Sequence, residues 1–245
     1  MSVEPETEAH STMPGTNSNS SLAQAMQADS AGVLYDLEPD SKRLIVAFGG
    51  LAGRMGMPPF EFFRTLSAGV KVKTVFVRDH AQAWYHRGVV GVGKGIDPVA
   101  AHIIGLRAQA EEVVTIGTSA GGYAALLFGG LAECEAHAFV PQTFIAPGLR
   151  EEHDDRRFER QLEALGADLD PRYADLLPVI AAGTAPAHLY YGSGNHLDTV
   201  HAERLDQLPH VTLHPFDTEQ HNLMRGLRYT GWLKEFLAGL AQGAR

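Results

Sequence analysis

The chain has 245 residues, of which 44% are hydrophobic and 20% are charged, and its formal net charge is -9. This length and composition indicate one globular domain with a single sizeable core. The acidic balance argues against nucleic acid as a partner, and no apolar run reaches the roughly 18 to 20 residues that span a bilayer.

The first 30 residues differ in amino-acid composition from the rest of the chain. Residues 1–30 are rich in Ser, Thr, Asn and Glu and offer little apolar surface, which predicts a disordered tail, whereas residues 31–245 are expected to form one domain. The start of the chain lacks a basic stretch followed by an apolar run, and the lone Cys134 excludes an internal disulfide. We therefore expect a cytoplasmic location.

From Val33 onward, short apolar runs alternate with longer segments of helical period. The predicted strands are 33–35, 44–48, 72–77, 113–116, 136–140, 187–191 and 211–216. The predicted helices cover about 59–67, 97–109, 120–130, 198–207 and 229–241. Strands that are apolar throughout and are separated by helices indicate an α/β fold with a mostly parallel sheet of about seven or eight strands, covered by helices on both faces.

The segment 147–185 breaks this alternation. It begins with the charge-dense run 150–160 and contains helical pieces but no convincing strand. Two interpretations stay open, namely a small cap inserted between two core strands and a pair of ordinary surface helices.

A G-x-S-x-G pattern occurs at residues 117–121, centred on Ser119. An apolar strand precedes it and a compact helix follows it, which is the setting in which a strained turn presents a nucleophilic serine. Gly at both flanks lets strand and helix approach each other. Two other interpretations stay open: a Gly-rich connection with no function, and a phosphate-binding turn, although the P-loop Lys and the G-x-G-x-x-G spacing are missing.

A serine nucleophile needs a general base and an acid that orients the base, and in this architecture both follow the serine in the chain. Asp198 is the acid in the loop after the strand 187–191, and His221 ends the polar loop after the strand 211–216. The sequence therefore predicts Ser119, Asp198 and His221 as a catalytic triad. The alternative for Asp198 is the cap of the following helix.

Attack on an acyl carbon creates an oxyanion that needs preorganised N–H donors. We expect one donor at Ala120, directly after the nucleophile, and the second at Leu51 or Gly50 in the glycine-rich loop after the strand 44–48. A simple Gly-rich turn is the alternative for that loop. His80, Trp84 and Gln142 follow other strands at the same edge and are predicted to contact substrate.

These motifs together resemble the α/β-hydrolase superfamily over about residues 33–241. A narrower resemblance links the chain to a poorly characterised group of bacterial hydrolase-like proteins. That group combines four features, which are here F-G-G at 48–50, R-D at 78–79 followed by W-Y at 84–85, S-A-G-G-Y-A-A at 119–125, and P-Q-T at 141–143. The resemblance implies an α/β-hydrolase fold and a serine hydrolase activity.

The leading hypothesis is hydrolysis of an ester or thioester through an acyl-enzyme, with a small-molecule acyl substrate that is free or attached to a carrier. Acyl transfer by the same triad and a catalytically silent binding module remain alternatives. A metal hydrolase using His196, Asp198 and His201 is a weaker rival because no recognised metal spacing is present. The triad chemistry requires no cofactor and no metal, and the sequence does not indicate an oligomeric state.

Overall fold

The computed structural model describes residues 30–52, 57–67 and 70–243. The strands are β1 (Val33–Asp36), β2 (Arg43–Phe48), β3 (Lys73–Val77), β4 (Glu112–Thr118), β5 (Glu135–Phe139), β6 (Ala187–Gly192) and β7 (Val211–Phe216). The α-helices are α1 (Phe63–Ser67), α2 (Ile96–Leu106), α3 (Ala120–Leu131), α4 (Pro147–Glu152), α5 (Glu159–Leu165), α6 (Leu177–Ala182), α7 (His196–Glu203), α8 (Leu223–Tyr229) and α9 (Trp232–Gln242).

The seven strands form one sheet in the order β1-β3-β2-β4-β5-β6-β7. Only β1 is antiparallel to its neighbour, and the other six strands are parallel. The predicted α/β fold with a mostly parallel sheet is therefore confirmed. Because the six strands run in one direction, the loops that follow them emerge at one edge of the sheet, where open α/β sheets bind their ligands.

Helices cover both faces of the sheet, and each face has its own hydrophobic cluster. Alternate residues of β2 belong to different clusters, because successive side chains of a strand point to opposite faces. Leu44, Val46 and Phe48 face α2 and α3, whereas Ile45 and Ala47 belong to the cluster with α1, α8 and α9. Every residue of β2 is buried, as expected for a strand that is covered on both faces.

Some helix predictions need correction. The helix expected at about 59–67 covers only Phe63–Ser67, and the one expected at 229–241 begins at Trp232 as α9. Helix α8 was not predicted. The segment 147–185 carries α4, α5 and α6 between β5 and β6. The tail predicted at 1–30 lies outside the described residues except for Ser30, and within the described ranges no helix is long and apolar enough to cross a membrane.

Candidate active site

Ser119 lies in the tight turn between β4 and α3, with φ 54° and ψ -118°. A non-glycine residue with positive φ is strained and persists only where its surroundings impose it. Here the backbone N–H of Ser119 donates to the carbonyl of Phe139 at 2.9 Å, and the Ser119 carbonyl accepts from Tyr123 N–H at 2.9 Å. The neighbouring strand and the first turn of α3 therefore hold the serine in this conformation.

The glycines around Ser119 are required by close approach of the backbone. A Cβ added at Gly117 would overlap the carbonyl oxygen of Gly121, and one added at Gly121 would overlap the carbonyl oxygen of Phe48. The turn is thus packed against α3 on one side and against the end of β2 on the other. Only glycine therefore fits at positions 117 and 121, as expected for a nucleophile elbow.

His221 and Asp198 meet through a hydrogen bond of 2.8 Å between the Nδ1 atom of His221 and the Oδ1 atom of Asp198. Asp198 is 1% exposed, while His221 is partly exposed. The two loops that carry them are joined, since Gly194 N–H donates to the Thr218 carbonyl at 3.1 Å. Asn195 caps α7 by accepting from Asp198 N–H, so the capping role considered for Asp198 belongs to Asn195.

The Ser119 hydroxyl contacts Gln142, which is 2% exposed. Gln142 Nε2 donates to Ser119 Oγ at 3.1 Å, and its Oε1 accepts from the indole Nε1–H of Trp84 at 3.2 Å. An indole N–H is only a donor, so it fixes which end of the amide faces the serine. Trp84 is fully buried and acts on the site through Gln142.

Ser119 and His221 lie at the same edge of the sheet without a direct hydrogen bond. Among the described residues, the only side-chain partner of Ser119 Oγ is Gln142. Hydrogen bonds between a nucleophile and its base are often long in a ligand-free enzyme and tighten when the substrate binds. The role of this pair therefore stays a prediction.

The residues predicted to form the oxyanion hole lie next to the elbow. Ala120 begins α3 and is buried, and a Cβ added at Gly50 would lie 3.0 Å from the carbonyl oxygen of Thr118. Gly50 and Leu51 are therefore on the loop that approaches the serine. Their N–H groups as oxyanion donors remain a prediction.

No family model and no curated protein matches the chain. Among solved structures, the capsule O-acetyltransferase of Neisseria meningitidis serogroup A matches with a TM-score of 0.61 and 15% identity, covering 86% of this chain and 90% of that chain. The butyrate-bound esterase Est2 of Thermogutta terrifontis matches with a TM-score of 0.55 and 19% identity, covering 85% and 88%.

A third structure, S-formylglutathione hydrolase of Staphylococcus aureus, matches with a TM-score of 0.51 and 15% identity over 81% of this chain and 84% of that chain. The chain has the α/β-hydrolase fold. At these identities the likeness concerns the fold, which these esterases and the O-acetyltransferase share. The predicted α/β-hydrolase fold is thereby confirmed.

In this α/β-hydrolase fold, the loop after β3 is organised around Asp79. The Oδ2 atom of Asp79 accepts from the N–H groups of Ala83 at 2.6 Å and Tyr85 at 2.9 Å. Burial raises the pKa of Asp79, against these hydrogen bonds, which lower it. His80 follows Asp79 and is partly exposed, and its contact with substrate remains a prediction.

The metal site considered for His196, Asp198 and His201 does not fit the contacts of His201. Its Nδ1 accepts from Thr143 N–H at 3.0 Å and its Nε2 lies 3.0 Å from Asp155 Oδ2, so both ring nitrogens are engaged.

A different group, Glu135, His137 and His188, has its ligand atoms within 4.8 Å of one another. Its two imidazole rings are stacked within 11° of parallel, and their Nε2 atoms lie 3.2 and 3.6 Å from Glu135 Oε1, so these groups contact one another. Since Glu135 begins β5, this group lies toward the edge of the sheet opposite Ser119.

Two residues of the site were missed in the sequence, Arg157 and Asp155. Arg157 Nη1 donates to Asp198 Oδ1 at 2.9 Å, and the guanidinium is also bound by the carboxylate of Asp155. The charge-dense run 150–160 was the only signal, and nothing in it distinguishes Arg157 from its neighbours.

Proposed function

We propose that the protein is a serine hydrolase that cleaves an ester or thioester through an acyl-enzyme intermediate. One observation carries the proposal: a serine in the strained elbow conformation shares a sheet edge with a histidine that a buried carboxylate holds at 2.8 Å. A hydroxyl is a weak nucleophile at neutral pH and needs such a base, and the base needs a carboxylate to fix its tautomer.

The proposed reaction begins when Ser119 Oγ attacks the acyl carbon. Because Nδ1 of His221 is bound to Asp198, Nε2 is the nitrogen that accepts the serine proton. The N–H of Ala120 and one from Leu51 or Gly50 stabilise the oxyanion. His221 then protonates the leaving group, an alcohol or thiol. In the second step it takes a proton from the water that attacks the acyl-enzyme and returns that proton to Ser119 Oγ as the acid leaves.

Gln142 has a defined place in this sequence of steps. Its amide donates to Ser119 Oγ at 3.1 Å, whereas the contact in which Ser119 Oγ donates to Gln142 Oε1 is long, at 3.5 Å. The hydroxyl proton of the serine is therefore available for His221. A donor on the attacking oxygen also stabilises the negative charge that oxygen develops as the proton leaves. In the proposed mechanism Gln142 therefore contacts the reacting group.

Acyl transfer is the second candidate. The O-acetyltransferase matched above has also been solved as a variant in complex with CoA, with a TM-score of 0.57 and 13% identity, covering 87% of this chain and 99% of that chain. An alcohol acceptor in place of water completes the same mechanism with no further residue. A cap formed by the segment 147–185 that excludes water would favour this outcome.

A panel of p-nitrophenyl esters of increasing acyl length, together with acyl-CoA and acyl-carrier thioesters, tests the proposal. We expect hydrolysis by the natural chain and a loss of at least about 10³-fold in kcat/KM for Ser119→Ala. Ser41→Ala, at the opposite edge of the sheet, is the matched control and should keep full activity. Adding alcohols to the assay distinguishes transfer, since transfer yields a new ester. Equal turnover by the natural chain and Ser119→Ala would overturn the proposal.

A further inference from the structure

Arg157 reaches the proposed catalytic acid from outside the predicted triad. We infer that Arg157 is a positioning residue, which holds the Asp198 carboxylate in place for His221. The inference rests on the proposed function. It adds a fourth side chain to the proposed catalytic triad, and this side chain belongs to the segment between β5 and β6.

Arg157 and His221 share one carboxylate oxygen. Asp198 Oδ1 accepts from Arg157 Nη1 at 2.9 Å and from His221 Nδ1 at 2.8 Å. Among the described residues, the other oxygen of Asp198 is buried and has no hydrogen-bond partner. The rotation of this carboxylate is therefore set by Arg157 and His221 together, and losing one of them leaves only the other to direct it.

Arg157 is itself held firmly. Its Nε and Nη2 donate to Oδ1 and Oδ2 of Asp155 at 2.9 and 2.8 Å, in the bidentate geometry that orders a guanidinium best. Asp155 is 4% exposed and is also hydrogen-bonded to His201 Nε2 at 3.0 Å. Burial opposes ionisation of Asp155, but hydrogen bonds from His201 and Arg157 outweigh it and keep its pKa well below the ordinary value.

His201 completes the support and remains neutral. Burial lowers the pKa of His201 to about 4, against the opposing hydrogen bond with Asp155. Its Nδ1 accepts from Thr143 N–H, one residue after Gln142, so Nε2 carries the proton that is donated to Asp155. The hydrogen bonds thus form one chain with two carboxylates and one permanent cation. Its members, in order, are Thr143, His201, Asp155, Arg157, Asp198 and His221.

The same short segment also supports the nucleophile side of the site. Phe158 packs edge-to-face on Trp84, with ring centroids 5.8 Å apart, and Trp84 orients the amide of Gln142. Residues 155–158 therefore contact both halves of the site, and Arg157 is the member that contacts the acid directly.

The rate of inactivation by a fluorophosphonate, measured at increasing reagent concentration, tests the role of Arg157 without knowledge of the substrate. It separates the plateau rate from the reagent concentration that gives half of that rate. The variants are Arg157→Gln, Arg157→Lys and the matched control Arg156→Gln, because Arg156 is the preceding residue and its ion pair with Asp154 is exposed. Thermal unfolding of each variant is recorded beside the rates.

For Arg157→Gln we expect the plateau rate to fall roughly 10- to 100-fold, as when a group that orients a reacting residue is removed. The reagent concentration that gives half of the plateau rate should stay that of the natural chain, because Arg157 contacts the Asp198 carboxylate and not the serine. Arg157→Lys keeps the charge but not the fork, so it should lower the plateau less than Arg157→Gln does. Arg156→Gln should change neither.

A plateau rate in Arg157→Gln equal to that of the natural chain would overturn the inference. A fall in rate that comes with a higher half-maximal reagent concentration would also overturn it and leave Arg157 a structural residue. Arg157→Lys gives the same decision if Arg157→Gln does not fold. Absence of inactivation in the natural chain is a different result, since it removes the proposed function itself.

Discussion

His86 is a buried histidine whose contacts require the neutral ring. It is 4% exposed, its Nδ1 accepts from Asp170 N–H at 3.0 Å, and its Nε2 lies 2.9 Å from the hydroxyl of Tyr123. That hydroxyl donates to the Tyr173 carbonyl, so the imidazole Nε2 supplies the proton in the contact with it. Burial lowers the pKa of His86 to about 4, although the nearby charge of Asp170 acts to raise it.

A lowered pKa in the folded state makes stability depend on pH in a defined direction. The unfolded chain protonates this histidine near pH 6.5, whereas the folded chain resists protonation down to about pH 4. The contribution of His86 is therefore fully present above about pH 6.5 and is lost as the pH falls toward 4. Between pH 7.5 and pH 5.0 the linkage amounts to about 2 kcal/mol.

The substitution His86→Gln isolates this contribution, because glutamine offers an acceptor and a donor but does not titrate. Urea unfolding at pH 7.5 and 5.0 and constant ionic strength should show the natural chain losing about 2 kcal/mol more than the variant between the two pH values. The comparison is needed because burial raises the pKa values of Glu61 and Asp79, which acts in the opposite direction. Equal pH dependence of both proteins would refute the reasoning.

Two further substitutions test the packing of the elbow and the orientation of the amide. Gly117→Ala should destabilise the fold by about 1 to 3 kcal/mol, because its methyl overlaps the first turn of α3; Gly105→Ala, on α2 with open space around it, should raise the unfolding midpoint instead. Trp84→Phe removes the donor to Gln142 and should slow fluorophosphonate labelling, whereas Trp232→Phe, on the other face of the sheet, should label at the natural rate. Unchanged unfolding of Gly117→Ala would contradict the close approach at Gly117, and unchanged labelling of Trp84→Phe would contradict the role of its hydrogen bond to Gln142.

The sheet could be predicted because its strands are buried on both faces and are therefore apolar throughout. The edge that carries the site followed from the same pattern, since parallel strands place Ser119, Asp198 and His221 after their carboxyl ends. Helix α8 was missed because it has only seven residues, with Gly226 among them, and directly follows the polar loop that carries His221.

Contacts between distant residues could not be predicted in the same way. Arg157 precedes Asp198 by 41 residues, and its partner is selected by how the segment before α5 folds back on α7. Gln142 was predicted beside the substrate, but its contact with Trp84, 58 residues earlier, depends on a loop in which Trp84 has a positive φ of 49°. Neither contact leaves a periodic signal in the sequence.

Intact-mass and peptide mass spectrometry after treatment with a fluorophosphonate tests the central claim most directly. We expect one adduct per chain, located on Ser119, no adduct in Ser119→Ala, and strongly slowed labelling in a His221→Gln variant that remains folded. A folded natural chain that takes up no reagent, or that labels equally with and without Ser119, would contradict the proposal that this serine is an activated nucleophile.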